Sequence, residues 1–309
     1  MIITVTMNPA VDKTAEVEEL VVGGLNRLQN IVMNAGGKGI NVSKTIKELG
    51  GKSLATGFIA GTNGAYIKET LDTLLIANDM VEVEGNTRVN LKVLNKDKQL
   101  TELNEDGPYI DNYALVSLIN KIVNHATKND YVILSGSVPK SVPKDIYAKL
   151  IRHLKTKNIN IILDADGDAF ASAVEEVPSV IKPNKYEICK YFNVSEDCSD
   201  QKLIELGKSL LAKGMELIVI SNGKAGAFFI NKNYTAMVKG LKVHAHSSVG
   251  AGDAMVAAIA YGLEQALPFD ELIKLAVATS AGAVMSIGTN PASKQQVEKL
   301  MKEVEINYL

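Results

Sequence analysis

Short apolar runs recur along this chain, and segments of helical periodicity separate them. The runs lie at 2–7, 53–60, 131–134, 160–163, 180–181 and 217–220. Between them, 39–49, 65–76, 112–124, 144–155 and 202–212 carry the helical pattern. Strands that alternate with whole helices make βαβ units, which predicts an α/β chain with a mostly parallel sheet. Two long helices, predicted over 252–265 and 269–287, close the pattern.

Two stretches, 10–32 and 86–103, break the alternation with period-two patterning and no good helix. In the second, Val89, Leu91 and Val93 form one set, and Arg88, Asn90 and Lys92 the other. Such strands predict a small accessory β-sheet beside the main one, placed to act as a lid over a site. No repeat, low-complexity tract or Pro/Ser-rich linker divides the 309 residues, so one domain with a lid is expected.

Composition narrows the function classes. A 46% apolar and 22% charged chain is that of a soluble globular protein. A net charge of −2 supplies no field to hold nucleic acid or an anionic membrane. The absence of Trp leaves few platforms for base stacking. No apolar run reaches the roughly 20 residues that span a bilayer. The first residues read as a strand and not as a leader. Cys189 and Cys198 form no CxxC or Cys/His cluster and read as reduced thiols, so a cytoplasmic protein is expected.

In an open α/β sheet, ligands sit beyond the carboxyl ends of the parallel strands. The chemically rich residues fall at such ends: Asn8 and Asp12, Ser135 and Ser137, Asp164 and Asp166, Lys182 and Asn184, Ser221 and Gly223. The strongest motif is Ser247-Ser248-Val249-Gly250-Ala251-Gly252-Asp253-Ala254, a two-glycine loop that runs into an apolar helix. Glycines let amides converge, and a helix N-terminus adds unpaired N–H groups and a positive dipole end. That combination suits a phosphate in flight. Asp253, in the first turn, is placed to accept the proton of an attacking hydroxyl. The competing structural role is a simple helix cap.

A second glycine loop, Asn34-Ala35-Gly36-Gly37-Lys38-Gly39-Ile40-Asn41, opens another amphipathic helix. It is not a Walker A loop, because Gly39 follows Lys38 and Val32 stands where that motif needs Gly. Its glycines suit close backbone approach to a ligand, or merely a tight turn. In Lys182-Pro183-Asn184-Lys185-Tyr186-Glu187, Asn184 and Glu187 lie three apart and share a face if a helix starts there. Oxygen groups of this kind hold Mg²⁺ through its retained waters, or else cap the helix. Ser221-Asn222-Gly223-Lys224-Ala225-Gly226 is a similar strand-end turn. Arg88 and Lys92 share one strand face and, with Lys38, suit a phosphate already on a substrate. Solvated surface charge is the plainer alternative. His244 and His246 lack further ligands at fitting spacing and read as structural.

In this order, the motifs resemble those of the PfkB, or ribokinase-like, carbohydrate kinases over essentially the whole length. Gly36 to Asn41 matches the early Gly-Gly-Lys-Gly-Ile-Asn, Lys182 to Glu187 the middle Lys-Pro-Asn-x-x-Glu, and Val249 to Asp253 the late Val-Gly-Ala-Gly-Asp. Thr6-Met7-Asn8-Pro9-Ala10-Val11-Asp12, Thr87-Arg88-Val89-Asn90-Leu91-Lys92 and Ser135-Gly136-Ser137-Val138-Pro139 are similar to the branch that phosphorylates ketohexose phosphates.

The resemblance implies a three-layer α/β/α core with an accessory β-lid, and Mg²⁺ with ATP as donor. It implies Asp253 as base, with the amides of Gly250, Ala251, Gly252 and Asp253 as anion hole. It puts the sugar phosphate near Asp12, Gly37, Lys38, Asn41, Arg88, Lys92 and Ser137. It puts the nucleotide near Lys182, Asn184, Ser221, Gly223, Gly226, Ser248 and Gly250, with Mg²⁺ near Asn184 and Glu187 through water. It implies a homodimer through the lid. The expected activity is phosphorylation of the 6-hydroxyl of fructose 1-phosphate, with tagatose-6-phosphate kinase as the alternative. A sugar-phosphate sensor without catalysis would not need Asp253, and a nicotinamide-dependent oxidoreductase lacks its three-glycine fingerprint. Asp166, Ser141 and Ser248 depart from the usual pattern, and the first two bear on substrate choice.

Overall fold

The structure, a computed structural model, describes residues 1–246, 249–286 and 288–309. Eleven strands form the main sheet. From one edge they run Ile306–Tyr308, Thr235–Val238, Ala227–Asn231, Leu217–Ser221, Val180–Ile181, Asn160–Asp164, Tyr131–Ser135, Ile2–Thr6, Ser53–Ala60 and Ala77–Asn78, with Val81–Val83 also beside Ser53–Ala60. Every pairing from Leu217–Ser221 to Ala77–Asn78 is parallel. Those strands therefore end at one edge of the sheet, and that edge carries the site.

Side-chain alternation separates two cores. Ile3, Val5, Val132, Leu134, Ile218 and Ile220 enter one of them. Helices Asn112–His125, Ile146–Lys155, Gly167–Val174, Lys185–Tyr191 and Asp200–Ala212 cover that face. Ile2, Ile133, Leu217 and Val219 enter the other, under Lys38–Glu48, Ala251–Glu264, Phe269–Met285 and Lys294–Met301. The sheet is thus buried on both sides, as a parallel sheet with crossover helices requires. Helix Gly61–Thr73 packs Ile67 and Leu71 into a third cluster with Val11, Ala35 and Ile40.

A separate four-stranded sheet is ordered Gln29–Gly36, Ala10–Glu16, Arg88–Leu94, Leu100–Asn104. Its strands differ from the expected 10–32 and 86–103. Residues 17–28 carry no strand, and pairing continues to Gly36 and Asn104. Asn34, Ala35 and Gly36 pair with Asp12, Val11 and Ala10, so the first three residues of the early glycine loop are strand. Asp12 accordingly lies within this small sheet and not at a strand end of the main one. The antiparallel edge strands Ala227–Asn231, Thr235–Val238 and Ile306–Tyr308 were not expected, because no helix separates the first two. Helix 65–76 was expected too late and begins at Gly61. The last long helix is described to Met285, and the expected end at Ile287 lies outside the described residues.

Candidate active site

Helix Ala251–Glu264 starts from Gly250, whose φ of 85° is left-handed backbone that favours glycine. Asp253 stands in its first turn and is only 8% exposed. The helix packs on Lys38–Glu48, and Asn41 Nδ2 donates to Asp253 Oδ2 at 2.8 Å. Burial pushes the Asp253 carboxyl up to about 6, and Asp164 adds to the rise. Lys38, Asn41 and Lys182 act in the opposite direction. The carboxylate is therefore ionised at neutral pH yet basic enough to take a proton.

Asp164, at the carboxyl end of its strand, is 2% exposed. Lys182 Nζ lies 3.2 Å from one of its oxygens and Lys38 Nζ 3.4 Å from the other. Burial works against its ionisation, but the two ammonium groups outweigh it and hold the carboxyl below the usual range. These contacts are ion pairs only, since neither buried oxygen has a hydrogen-bond partner. Lys38 also loses hydration, and Asp164, Asp253, Glu187 and Asp166 more than compensate, so it stays an ammonium. Lys182 Nζ lies against the late loop, 3.3 Å from where a Cβ on Gly252 would sit.

A cavity of about 310 Å³ opens beside these charges. Asp12, Gly37, Lys38, Asn41, Arg88, Lys92, Ser137, Gly250 and Asp253 all line it, so the structure brings the sugar-side expectations together. Asp12 is the hub on the small-sheet side: Asn90 Nδ2 donates to its Oδ1 at 3.0 Å, and Lys92 Nζ lies 3.5 Å away. Arg88 donates to the Asn8 carbonyl at 3.2 Å and to Asn90 Oδ1 at 3.1 Å. Asn8 Nδ2 in turn donates to Ser137 Oγ at 3.4 Å.

Asp166, expected to bear on substrate choice, also lines the cavity, as do Asn90, Glu102 and Asn104, which were not assigned from sequence. Asn90 lies between Arg88 and Lys92 on their strand face, a usable signal. Glu102 and Asn104 reach the site only because they pair with Lys92 and Asn90, and that register is not local in sequence.

The expected nucleotide side lies along the neighbouring strand ends. Ser221 bridges to Asn184, and its amide donates to the Pro183 carbonyl at 3.0 Å. Asn184 and Glu187 form a reciprocal capping box, each side chain accepting from the other's amide at 2.8 Å. Gly223 opens a short 3-10 turn that ends at Gly226. Gly226 needs its φ of 113° and its missing side chain for the fold itself, because a Cβ would meet Val238 O at 1.9 Å. Ser248 lies outside the described residues.

The residues fit a hard divalent cation. Asp164 offers two buried oxygens without hydrogen bonds. Glu187 spends Oε2 on the cap and keeps its second oxygen. Burial raises the Glu187 carboxyl, and its coupling to Lys182, Asp164 and Lys38 puts it in the same electrostatic neighbourhood. Asn184 has its side-chain oxygen engaged in the cap, which suits contact through water. Among the described residues, no three His, Cys, Asp or Glu side chains make a closed metal site.

The raised Asp253 pKa has a stability consequence. Between about pH 4 and 6 the folded chain holds a proton that the unfolded chain has released, so stability falls as pH rises through that window. Asp253→Asn is therefore expected to be more stable than wild type near pH 7.5 by about 1–3 kcal/mol, with the gain gone below about pH 4. Urea unfolding across pH checks this, and an Asn variant less stable at neutral pH would contradict it.

The family model described as pfkB family carbohydrate kinase matches residues 5–296. The chain is 34% identical over 309 residues to 1-phosphofructokinase of Bacillus subtilis, covering 100% of both chains. It is 32% identical over 309 residues to D-tagatose-1-phosphate kinase of Bacillus licheniformis, again covering 100% of both. A solved structure of a candidate phosphofructokinase from Staphylococcus aureus superposes with a TM-score of 0.87 at 33% identity, covering 100% of this chain and 99% of that one. Motifs, fold and site geometry agree with these likenesses: the chain belongs to the pfkB family of carbohydrate kinases.

Proposed function

We propose that this chain transfers the terminal phosphoryl group of ATP to the 6-hydroxyl of fructose 1-phosphate, giving fructose 1,6-bisphosphate and ADP. The observation that carries this reading is the buried Asp253 carboxylate, oriented by Asn41 at an amide-rich helix start and bordering a cavity with Lys38, Arg88 and Lys92. The full-length likeness to 1-phosphofructokinase supports the choice of sugar.

In this reading Lys38, Arg88 and Lys92 neutralise the phosphate already on the sugar. Asp12, Asn41 and Ser137 hold hydroxyls, and Gly37 admits the substrate close to the backbone. The 6-oxygen attacks the γ-phosphorus, the bond from that phosphorus to the bridging oxygen breaks, and ADP leaves. Asp253 takes the hydroxyl proton. The amides of Gly250, Ala251, Gly252 and Asp253 stabilise the phosphoryl oxygens in flight. Lys182, Asn184, Ser221, Gly223, Gly226 and Ser248 hold the nucleotide. When bound, Mg²⁺ supplies further neutralisation of the phosphates, with Glu187 and Asn184 holding its water shell and Asp164 close by. The four-stranded sheet acts as a lid within a single domain and excludes water, the competing acceptor.

A second reading has a specific basis. The relative named D-tagatose-1-phosphate kinase takes a sugar that differs from fructose 1-phosphate only in configuration at C4. It carries its phosphate at C1, unlike the tagatose 6-phosphate expected from sequence. A coupled ADP-release assay over fructose 1-phosphate, tagatose 1-phosphate, tagatose 6-phosphate and fructose 6-phosphate separates these by kcat/KM. Fructose 1-phosphate should rank first, and a higher value for any other sugar rejects the assignment. Asp253→Asn should lose about 10²–10⁴-fold in kcat while ATP affinity is retained. A variant with near-normal turnover would remove Asp253 as base, and sugar binding with no ADP release would favour a sensor.

The lid also supports a homodimer. Val22 is 96% and Leu25 79% exposed, and Ile31 and Leu103 on the small sheet are exposed as well. A surface of that kind suits burial against a second copy. Val22→Asp together with Leu25→Asp should shift sedimentation from dimer to monomer, whereas a wild-type monomer at micromolar concentration would reject the dimer. No helix among the described residues is long and apolar enough to cross a membrane. Cys189 and Cys198 are free thiols, which suits a cytoplasmic setting.

A further inference from the structure

Lys44 is a charged side chain that the reaction above does not use. It lies on helix Lys38–Glu48, yet it is only 6% exposed. Its Nζ donates to the carbonyl of Ala35 at 2.9 Å. Among the described residues it makes no ion pair within 4.0 Å. Three charged groups face it from the elements packed around it: Asp12 on strand Ala10–Glu16, Asp253 on helix Ala251–Glu264 and Lys92 on strand Arg88–Leu94. A buried ammonium with one hydrogen bond costs stability, and an apolar side chain of similar volume would pack more favourably. Its place is therefore informative.

Ala35 belongs to the small-sheet strand Gln29–Gly36 and pairs with Val11, next to the Asp12–Asn34 pair. Three residues further on, the chain enters the helix that carries Lys38, Asn41 and Lys44 itself. The Lys44 hydrogen bond thus spans the junction between the small sheet and the helix that orients Asp253 through Asn41.

We propose that Lys44 is a positioning residue for this kinase: it fastens the small sheet at Ala35 to the catalytic helix pair and keeps the sugar cavity in its binding shape. This rests on the kinase reading. Burial lowers the Lys44 pKa to about 8, with Lys92 lowering it further and Asp12 and Asp253 opposing. The clamp is charged below that pH and loses its proton, and with it the charge-assisted bond, as pH rises through about 8.

The test compares wild type, Lys44→Met and Lys44→Arg with fructose 1-phosphate and ATP across pH 6.5–9.5. Lys44→Met should raise the sugar KM about tenfold, with a smaller change in kcat and an unchanged ATP KM. Its urea midpoint should equal or exceed that of wild type, since a buried charge is removed. Lys44→Arg should restore the sugar KM. In wild type the sugar KM should climb as pH passes about 8, and in the Arg variant that climb should vanish or move to higher pH. A Met variant with wild-type sugar KM overturns the proposal. So do equal losses for sugar and ATP with a lowered urea midpoint, or an alkaline climb unmoved in the Arg variant. If wild type releases no ADP with any of the four ketohexose phosphates, the kinase reading fails and the clamp with it. Turnover by wild type with an unaffected Met variant rejects the clamp alone.

Discussion

Three buried charged groups, Asp164, Lys182 and Asp253, share one water-poor volume at the carboxyl edge of the sheet, and the part-exposed Lys38 reaches into it. Burying any one of them alone would cost several kcal/mol. Together they set one another's state. Two ammonium groups keep Asp164 ionised, Asp164 keeps Lys38 protonated, and burial, with Asp164 adding to it, lifts Asp253 toward neutrality. The residues come from positions 38, 164, 182 and 253, so the chain must be fully folded for the set to exist.

The fold supplies that convergence. Parallel strands end at one edge, and the Asp164 strand pairs directly with the strand that leads to Lys182. Lys38 and Asp253 each sit in the first turn of a helix, and those two helices pack on the same face of the sheet. The small sheet then closes the remaining side, with Asp12, Asn90 and Lys92 turned into the cavity. The proposed phosphoryl transfer needs little more than this positioning and charge balance, which is characteristic of the reaction class.

How much of this was legible in the sequence depended on range. Strands and helices of the parallel part were readable because each carries its own period, 2 or 3.6, within a dozen residues. Of the residues that line the cavity, Lys38, Arg88 and Lys92 were readable because a glycine loop and paired basic residues are local signals, whereas Asp12, Gly37, Asn41 and Ser137 came from the family resemblance. The hairpin of Ala227–Asn231 and Thr235–Val238 was missed although Asn231-Lys232-Asn233 separates two β-prone runs, because each run is too short to show its period. Asp12 lies in the small sheet and not at a main-sheet strand end because Asn8-Pro9 marks a turn but not which sheet the following strand joins. Asn184 and Glu187 read from sequence as either cap or ligands, and the capping box engages two amides and two side-chain oxygens while one Glu187 carboxylate oxygen stays available. The double pairing of Asp164 and the burial of Lys44 depend on contacts between distant segments, and no local pattern announces them.

As the proposed base, Asp253 is buried and owes its affinity for a proton to its surroundings. The most direct test of that role is the pH dependence of kcat/KM for the sugar phosphate in wild type and in Asp164→Asn. Wild type should show a rising limb with an apparent pKa of about 6. Removing the neighbouring negative charge should move that limb to lower pH. A limb that is absent, or that stays in place when Asp164 is neutralised, would remove Asp253 as the base.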